Sequence, residues 1–161
     1  MSTVQNIGHK VGWNSHRSKK NAAFYTIGYS HCSMADFLVT LQDAGVSTLI
    51  DIRYDALSLH RPEFSKNNLK RQLSENGMAY IHRRDLGIPR EIRAHPDRDY
   101  IWRWYDHHIH SAISGDLEVM FGEVNSPVAL MCVEADPRDC HRHRLALALE
   151  QLGLRSYDLQ K

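Results

Sequence analysis

What this chain has little of narrows its class before any motif is considered. Its longest apolar runs, such as Val128 to Val133, fall far short of the roughly 18 to 20 residues that span a bilayer, so no transmembrane helix and no membrane partner are expected. Lys10, Arg17, Lys19 and Lys20 have no long apolar segment behind them, which argues against a secretory signal peptide and for a cytoplasmic protein. Cysteine is scarce and odd in number. Three of them without regular spacing do not make the disulfide framework of a small secreted domain, and free thiols are expected. Proline is sparse too, at five residues, and 42% hydrophobic with 24% charged residues is the composition of a packed globular chain. Charge of one sign is also missing. The net charge is +1, but the first 20 residues hold four of the 20 basic residues and no acidic one, leaving 16 basic against 19 acidic beyond them. A strongly basic face for duplex DNA is therefore not expected, although His82-Arg83-Arg84 forms a local basic patch. Histidine is the one excess, with 11 residues whose ordinary pKa lies near neutrality.

A chain of 161 residues is long enough for one sizeable core, so a single domain is expected. Residues 1–21 are polar and without sustained period, and they are assigned as a flexible basic N-terminal arm in which Trp13 alone is suited to docking. Residues 22–161 then form one α/β domain. Phe24 to Tyr29 has strand composition, and Ser33 with Asp36 three residues later caps a helix that Gly45 closes. Thr48 to Arg53 is apolar until Asp51, as suits a strand covered on both faces of a parallel sheet. A helix around Ser65 to Glu75, a strand over Ala79 to His82 and a helical middle segment from about 96 to 124 follow. Val128 to Glu134 is the most apolar strand. Asp136-Pro137 reads as a cap with proline at the first helical position, opening a helix that ends near Gly153 before a last strand at Ser156 to Leu159. The alternation predicts a mostly parallel sheet flanked by helices, a Rossmann-like three-layer single domain. In such folds ligands bind beyond the carboxyl ends of the strands, where Tyr29, Ser30, Asp51, Arg53, His82 and Glu134 all fall.

Chemistry concentrates from Glu134 to Arg142. If Asp136 caps the helix, Cys140 lies at the end of its first turn, where the helix dipole favours a thiolate, and His141 can serve it as a base. The same positive end with Arg142 suits a phosphate or carboxylate. The plain alternative is a buried cysteine packing the helix against the sheet. Cys132, Cys140, His141 and His143 are soft donors, but Cys-x7-Cys-His-x-His fits no common zinc spacing, so no metal and no cofactor are expected. Cys132 and Arg138 have the Cys-x5-Arg outline of a phosphatase loop, yet Glu134 and Asp136 inside it and the lack of glycine disfavour a phosphate cradle. Asp51 and Arg53 project to one side of their strand, as base and anion grip or as an ion pair. Ser58, His60 and Arg61 add a hydroxyl, an imidazole and a guanidinium on a loop, and His82-Arg83 follows the third strand. Trp102, Trp104 and Tyr105 are spaced for core packing more than for stacking bases.

Four groups of residues in this order resemble the domain of unknown function 488 family, over about residues 24 to 160. They are Thr26-Ile27-Gly28-Tyr29-Ser30; Asp51-Ile52-Arg53 with Ser58, Pro62, Phe64 and Lys66; Tyr80-Ile81-His82 with Leu86-Gly87; and Cys132 through Glu134 with Cys140-His141-Arg142. The resemblance implies a compact α/β domain with a site built from these groups and no settled reaction. Family members often carry Asn-Pro-Arg-Ser-Arg after the second strand, where this chain has Asp55-Ala56-Leu57-Ser58-Leu59, and often glycine where it has His31.

Three functions are consistent with these residues. The first is an enzyme acting on an anionic, nucleotide-like or nucleic-acid base substrate, with Cys140, His141 and Asp51 catalytic and Arg53 and Arg142 holding the anion. The second is a nucleic-acid-binding module in DNA repair or modification that uses the basic arm. The third is a protein-interaction domain presenting Trp102 and Trp104.

Overall fold

The structure is a computed structural model that describes residues 12–160. β1 (Phe24–Gly28) leads through a Ser33-capped turn into α1 (Met34–Asp43), with the Ser33 hydroxyl accepting the Asp36 amide as the capping pattern requires. β2 (Thr48–Asp51), α2 (Lys66–Glu75) and β3 (Ala79–His82) follow. α3 (Arg90–Arg93) comes next, and the expected middle helix is broken into α4 (Arg98–Ile109) and α5 (Leu117–Phe121). β4 (Val128–Cys132), α6 (His141–Gln151) and β5 (Ser156–Leu159) complete the chain. Among the described residues no helix is long and apolar enough to cross a membrane.

All five strands are parallel, in the order β3-β2-β4-β1-β5. Strand alternation divides the core in two. Leu49 of β2, Ile27 of β1 and Met131 of β4 meet α1 and α2 through Phe37, Leu41, Leu69 and Leu73 on one face. Ile50, Phe24 and Leu130 meet α4 and α6 through Ile101, Tyr105, Leu145 and Leu149 on the other. Both faces of the central strands are covered, which is why β4 reads as an unbroken apolar run and is wholly buried. The chain leaves β2 toward the α2 face and leaves β4 toward the α6 face. The carboxyl ends of these neighbours therefore part, and a crevice opens between them.

The expected N-terminal arm falls partly outside the described residues. Its first eleven residues, Lys10 included, lie outside the described residues. Residues 12–21 instead lie against the domain, ending in a 3₁₀ turn at Lys19–Asn21. Arg17 makes a two-pronged ion pair with Glu150 of α6, at 2.9 and 3.0 Å, and its guanidinium sits 4.0 Å over the Trp13 ring. The Asn14 side chain donates to the Asp158 carbonyl at 2.8 Å and accepts the Asp158 amide at 3.0 Å, so it pairs with the open edge of β5 as a strand would. Nothing in the composition of these residues marks the pairing, because it depends on one amide meeting a backbone 144 positions away.

Gly28 ends β1 where the Glu134 backbone crosses it, and a Cβ there would collide with the Glu134 carbonyl and crowd Arg142. Gly28→Ala is expected to destabilise the domain by about 3 kcal/mol through forced backbone displacement, read as a lower urea midpoint at unchanged slope. An unchanged midpoint would mean that the crossing is looser than described.

Candidate functional site

Two polar clusters form at the carboxyl end of the sheet, one on each face. On the α1/α2 face Asp51 and Arg53 project together, fully buried and 4% exposed respectively. The Asp51 carboxylate accepts Arg53 Nε and Nη2 at 2.9 and 2.7 Å, the Arg53 amide at 3.1 Å and the Tyr80 hydroxyl at 2.6 Å. Arg53 also donates to the Tyr29 hydroxyl at 3.1 Å and the Phe64 carbonyl at 2.8 Å. Burial opposes the Arg53 charge, yet the hydrogen bonds and charge of Asp51 outweigh it and raise the guanidinium above its ordinary value. Burial and the Asp51 charge likewise push Tyr80 up, so it stays a donor. His82 Nε2 donates to the Arg53 carbonyl at 2.8 Å, and Arg61 donates to the carbonyls of Tyr29 and Cys32 while lying 4.4 Å over the Phe64 ring.

On the α4/α6 face stand two sulfurs and an imidazole. Cys132 closes β4, Cys140 precedes α6, and the two are joined as a disulfide. His141 opens α6 and is buried edge-on against Tyr105. His141 Nε2 lies 2.8 Å from the Ile52 carbonyl, which can only accept, so Nε2 carries the hydrogen. Nδ1 therefore presents its lone pair to Cys132 Sγ at 3.6 Å and Cys140 Sγ at 3.8 Å. Burial pushes the imidazole down to about 4, which keeps it neutral near pH 7. Ile52 lies between Asp51 and Arg53, so one strand end serves both clusters, through its side chains on one face and its carbonyl on the other.

The crevice between β2 and β4 is a cavity of about 550 Å³ with this second cluster at its floor. Cys132, Cys140 and His141 line it together with Arg53 and Glu134. Its rim carries Arg90, Arg93 and Arg98, all exposed, and its walls include Tyr54, Leu57, Ile88, Ile101 and Trp102. Arg90 pairs with Asp55 at 2.6 Å, and Arg98 lies 5.6 Å over the Trp102 ring. A larger hollow of about 770 Å³ lies beside the ends of β1 and β5, against Trp13, His31 and Cys32, but Cys132, Cys140 and His141 do not line it.

Of the catalytic and substrate-binding residues expected from the sequence, Arg53, Glu134, Cys140 and His141 reach this cavity, together with Cys132 and Trp102, and the rest do not line it. Asp51 and Tyr29 belong to the opposite face, because residues two apart on a strand share a side and Cys132 alternates to the other. Arg142, fully buried, points toward β5, where it donates to Asp158 at 3.3 Å and to the carbonyls of Glu134 and Ala135. Arg53 and Arg142, expected to grip an anion, are both held by internal partners. Arg83 is held by Asp85 and the Met120 carbonyl, and Ser58 closes its own loop against Ser65. Ser30 borders a separate shallow hollow, and His60 stands exposed on the loop.

Two further expectations at this end of the sheet are corrected. Asp136 caps only a 3₁₀ turn, Pro137–Asp139; Cys140 then adopts an extended backbone, φ −129° and ψ 151°, and is the residue before α6 rather than within its first turn. Free thiols are replaced by the Cys132–Cys140 pair, which the return of the chain from β4 into α6 brings together; Cys32 stands outside it. The rim arginines were missed altogether. Their signal is the spacing of Arg90 and Arg93, three apart on one helical turn, just ahead of Arg98.

Asp51→Asn leaves the Arg53 cation buried without its counter-charge and is expected to cost about 3–5 kcal/mol of stability. Tyr29→Phe removes one neutral partner of the same cation and is expected to cost about 1 kcal/mol. Chemical denaturation reads both, and equal midpoints for the two variants would remove the ion pair from the centre of this account.

A family model described as "Domain of unknown function DUF488" matches residues 33–149. The match takes in β2, β3 and β4 and the start of α6, hence both polar clusters apart from Tyr29. No curated protein and no solved structure matches the chain. By that match over most of its length, the chain belongs to the DUF488 family.

Proposed function

We propose that the chain is an enzyme acting on a small anionic, nucleotide-like substrate bound in the crevice between β2 and β4. The observation that carries this reading is a reactive floor beneath a cationic rim: two cysteine sulfurs and a neutral imidazole nitrogen lie under Arg90, Arg93 and Arg98. The location supports it, because parallel sheets bind ligands at the carboxyl ends of diverging strands. The size supports it too, since about 550 Å³ falls within the roughly 300–1,000 Å³ of small-molecule sites. Exposed guanidiniums match phosphate or carboxylate geometry, and the Arg90–Asp55 pair at the solvent edge is one that an anion can displace. Trp102 and Tyr54 offer flat faces for a base or another planar group. With the Cys132–Cys140 disulfide reduced, Cys140 with His141 is the chemical centre, Nδ1 being the base of the cluster, while Asp51, Arg53 and Arg142 position it from behind. A base within a nucleic acid shares this chemistry and is distinguished by the same test.

Thermal shift of the native protein with inorganic phosphate, a nucleoside monophosphate and a short oligonucleotide tests the reading. The mononucleotide is expected to raise the melting temperature, with affinity falling about tenfold in Arg93→Ala and in Arg98→Ala while the unliganded melting temperature stays put. A larger shift with the oligonucleotide moves the substrate to a base in a strand. Absence of any shift overturns the reading, as does a shift that survives both substitutions.

A further inference from the structure

Among the described residues, Cys132, Cys140 and His141 are the one group of donors whose ligating atoms all lie within 4.8 Å of one another, and all three are buried. Their chain spacing matches no common zinc pattern. The site is assembled instead by the sheet: one ligand comes from the end of β4 and two from the start of α6, with the 3₁₀ turn Pro137–Asp139 as the intervening loop. We propose that, once the disulfide is reduced, Cys132 Sγ, Cys140 Sγ and His141 Nδ1 bind a borderline-soft divalent cation of the zinc type. The fourth position of that ion opens into the cavity. The assignment rests on the enzyme reading only for what would enter that fourth position.

Four features support it. A tetrahedral ion with bonds of about 2.3 Å to sulfur and 2.0–2.1 Å to nitrogen sets its sulfur and nitrogen ligands about 3.6 Å apart. The two distances here are 3.6 and 3.8 Å. His141 is fixed in the required tautomer, because its other nitrogen donates to the Ile52 carbonyl, the outer partner that metal-bound histidines commonly have. The Cα atoms of Cys132 and Cys140 stand 6.9 Å apart, just beyond the usual disulfide range of about 4.4–6.8 Å, so the sulfurs have room to separate. His143 is not part of the set, since its Nδ1 turns back to the Cys140 carbonyl. Three protein ligands facing a cavity is the arrangement of a catalytic rather than a structural zinc, whose four positions are closed.

The chemistry balances with a phosphine as reductant. The phosphine takes an oxygen from water and becomes the oxide, delivering two electrons; the S–S bond breaks and each sulfur takes one proton. The ion then displaces both protons. Cobalt(II) titrated into the phosphine-reduced full chain is expected to give near-ultraviolet thiolate-to-cobalt charge transfer and visible bands of a tetrahedral site, saturating at about one ion per chain. Zinc should abolish both. Cys140→Ser should lose the charge-transfer band, Cys32→Ser should retain it, and the oxidised wild type should never show it. A second measurement needs no variant: zinc should slow alkylation of Cys132 and Cys140 in the reduced protein about tenfold and leave Cys32 unchanged.

The assignment is overturned if the reduced wild type gives no thiolate band, if Cys140→Ser or the oxidised protein gives the same band, or if zinc protects neither cysteine. Absence of the band with a persisting nucleotide shift removes the metal and leaves the cleft. The band without any nucleotide shift keeps the metal and removes that substrate.

Discussion

The end of β2 depends on a charge pair that water does not reach. Asp51 and Arg53 lie on a strand covered by helices on both faces, so neither charge is solvated and each relies on the other. Such a pair stabilises less than well-packed apolar residues would, because desolvation costs each ion several kcal/mol. What it supplies is position. Five hydrogen bonds, among Tyr29, Phe64, Tyr80 and the pair itself, converge on this strand end and restrict its backbone. The Ile52 carbonyl between them is fixed as a result, and with it the ring that donates to that carbonyl from the opposite face.

This coupling gives the two clusters different work. Tyr29, Asp51, Arg53, Arg61 and His82 bond to one another and to nearby carbonyls, and they tie β1, β2 and β3 together at the carboxyl end of the sheet. Cys132, Cys140 and His141 face a cavity, and His141 Nδ1 is left with only sulfur for company. Arg142 does for α6 what Arg53 does for β2. It ties the helix start to β5 through Asp158, and burial draws its pKa down and that of Asp158 up in spite of their attraction. A guanidinium remains charged even so, given its very high ordinary pKa.

Much of the fold was legible in the sequence because local rules carried it. Ser33 with Asp36, the apolar runs of β2 and β4 and the stops at Gly45, Gly77 and Gly153, each with positive φ, mark their elements without reference to anything distant. The site was legible only as a set of residue types. That Cys140, His141, Asp51 and Arg53 meet at one end of the sheet follows from strand ends alone. Which of them share a face depends on whether β2 and β4 present odd or even positions to the same helices, and that is decided by pairing Asp51 with Met131 rather than Cys132. The Asp136-Pro137 signal was real but governed a single 3₁₀ turn, because the extended backbone at Cys140 restarts the helix. In residues 12–21 only Trp13 signalled docking, and it does pack against the core; the Asn14 pairing carried no sign, since a lone asparagine amide covering a strand edge has no periodic pattern.

The division of labour among the arginines follows from the same energetics. Arg53 and Arg142 have acid partners in places where nothing else can compensate those charges. Drawing either away to hold a substrate would leave Asp51 or Asp158 buried and alone, at a cost of several kcal/mol that would have to come out of binding. Arg90, Arg93 and Arg98 are exposed, so their charges are solvated in the free protein and lose little when an anion replaces water. A site that must take up and release an anion in each cycle is better served by such side chains, with buried guanidiniums behind them keeping the floor in place. On the proposed reading the rim sets affinity and the interior sets geometry, and a change in one can be made without dismantling the other.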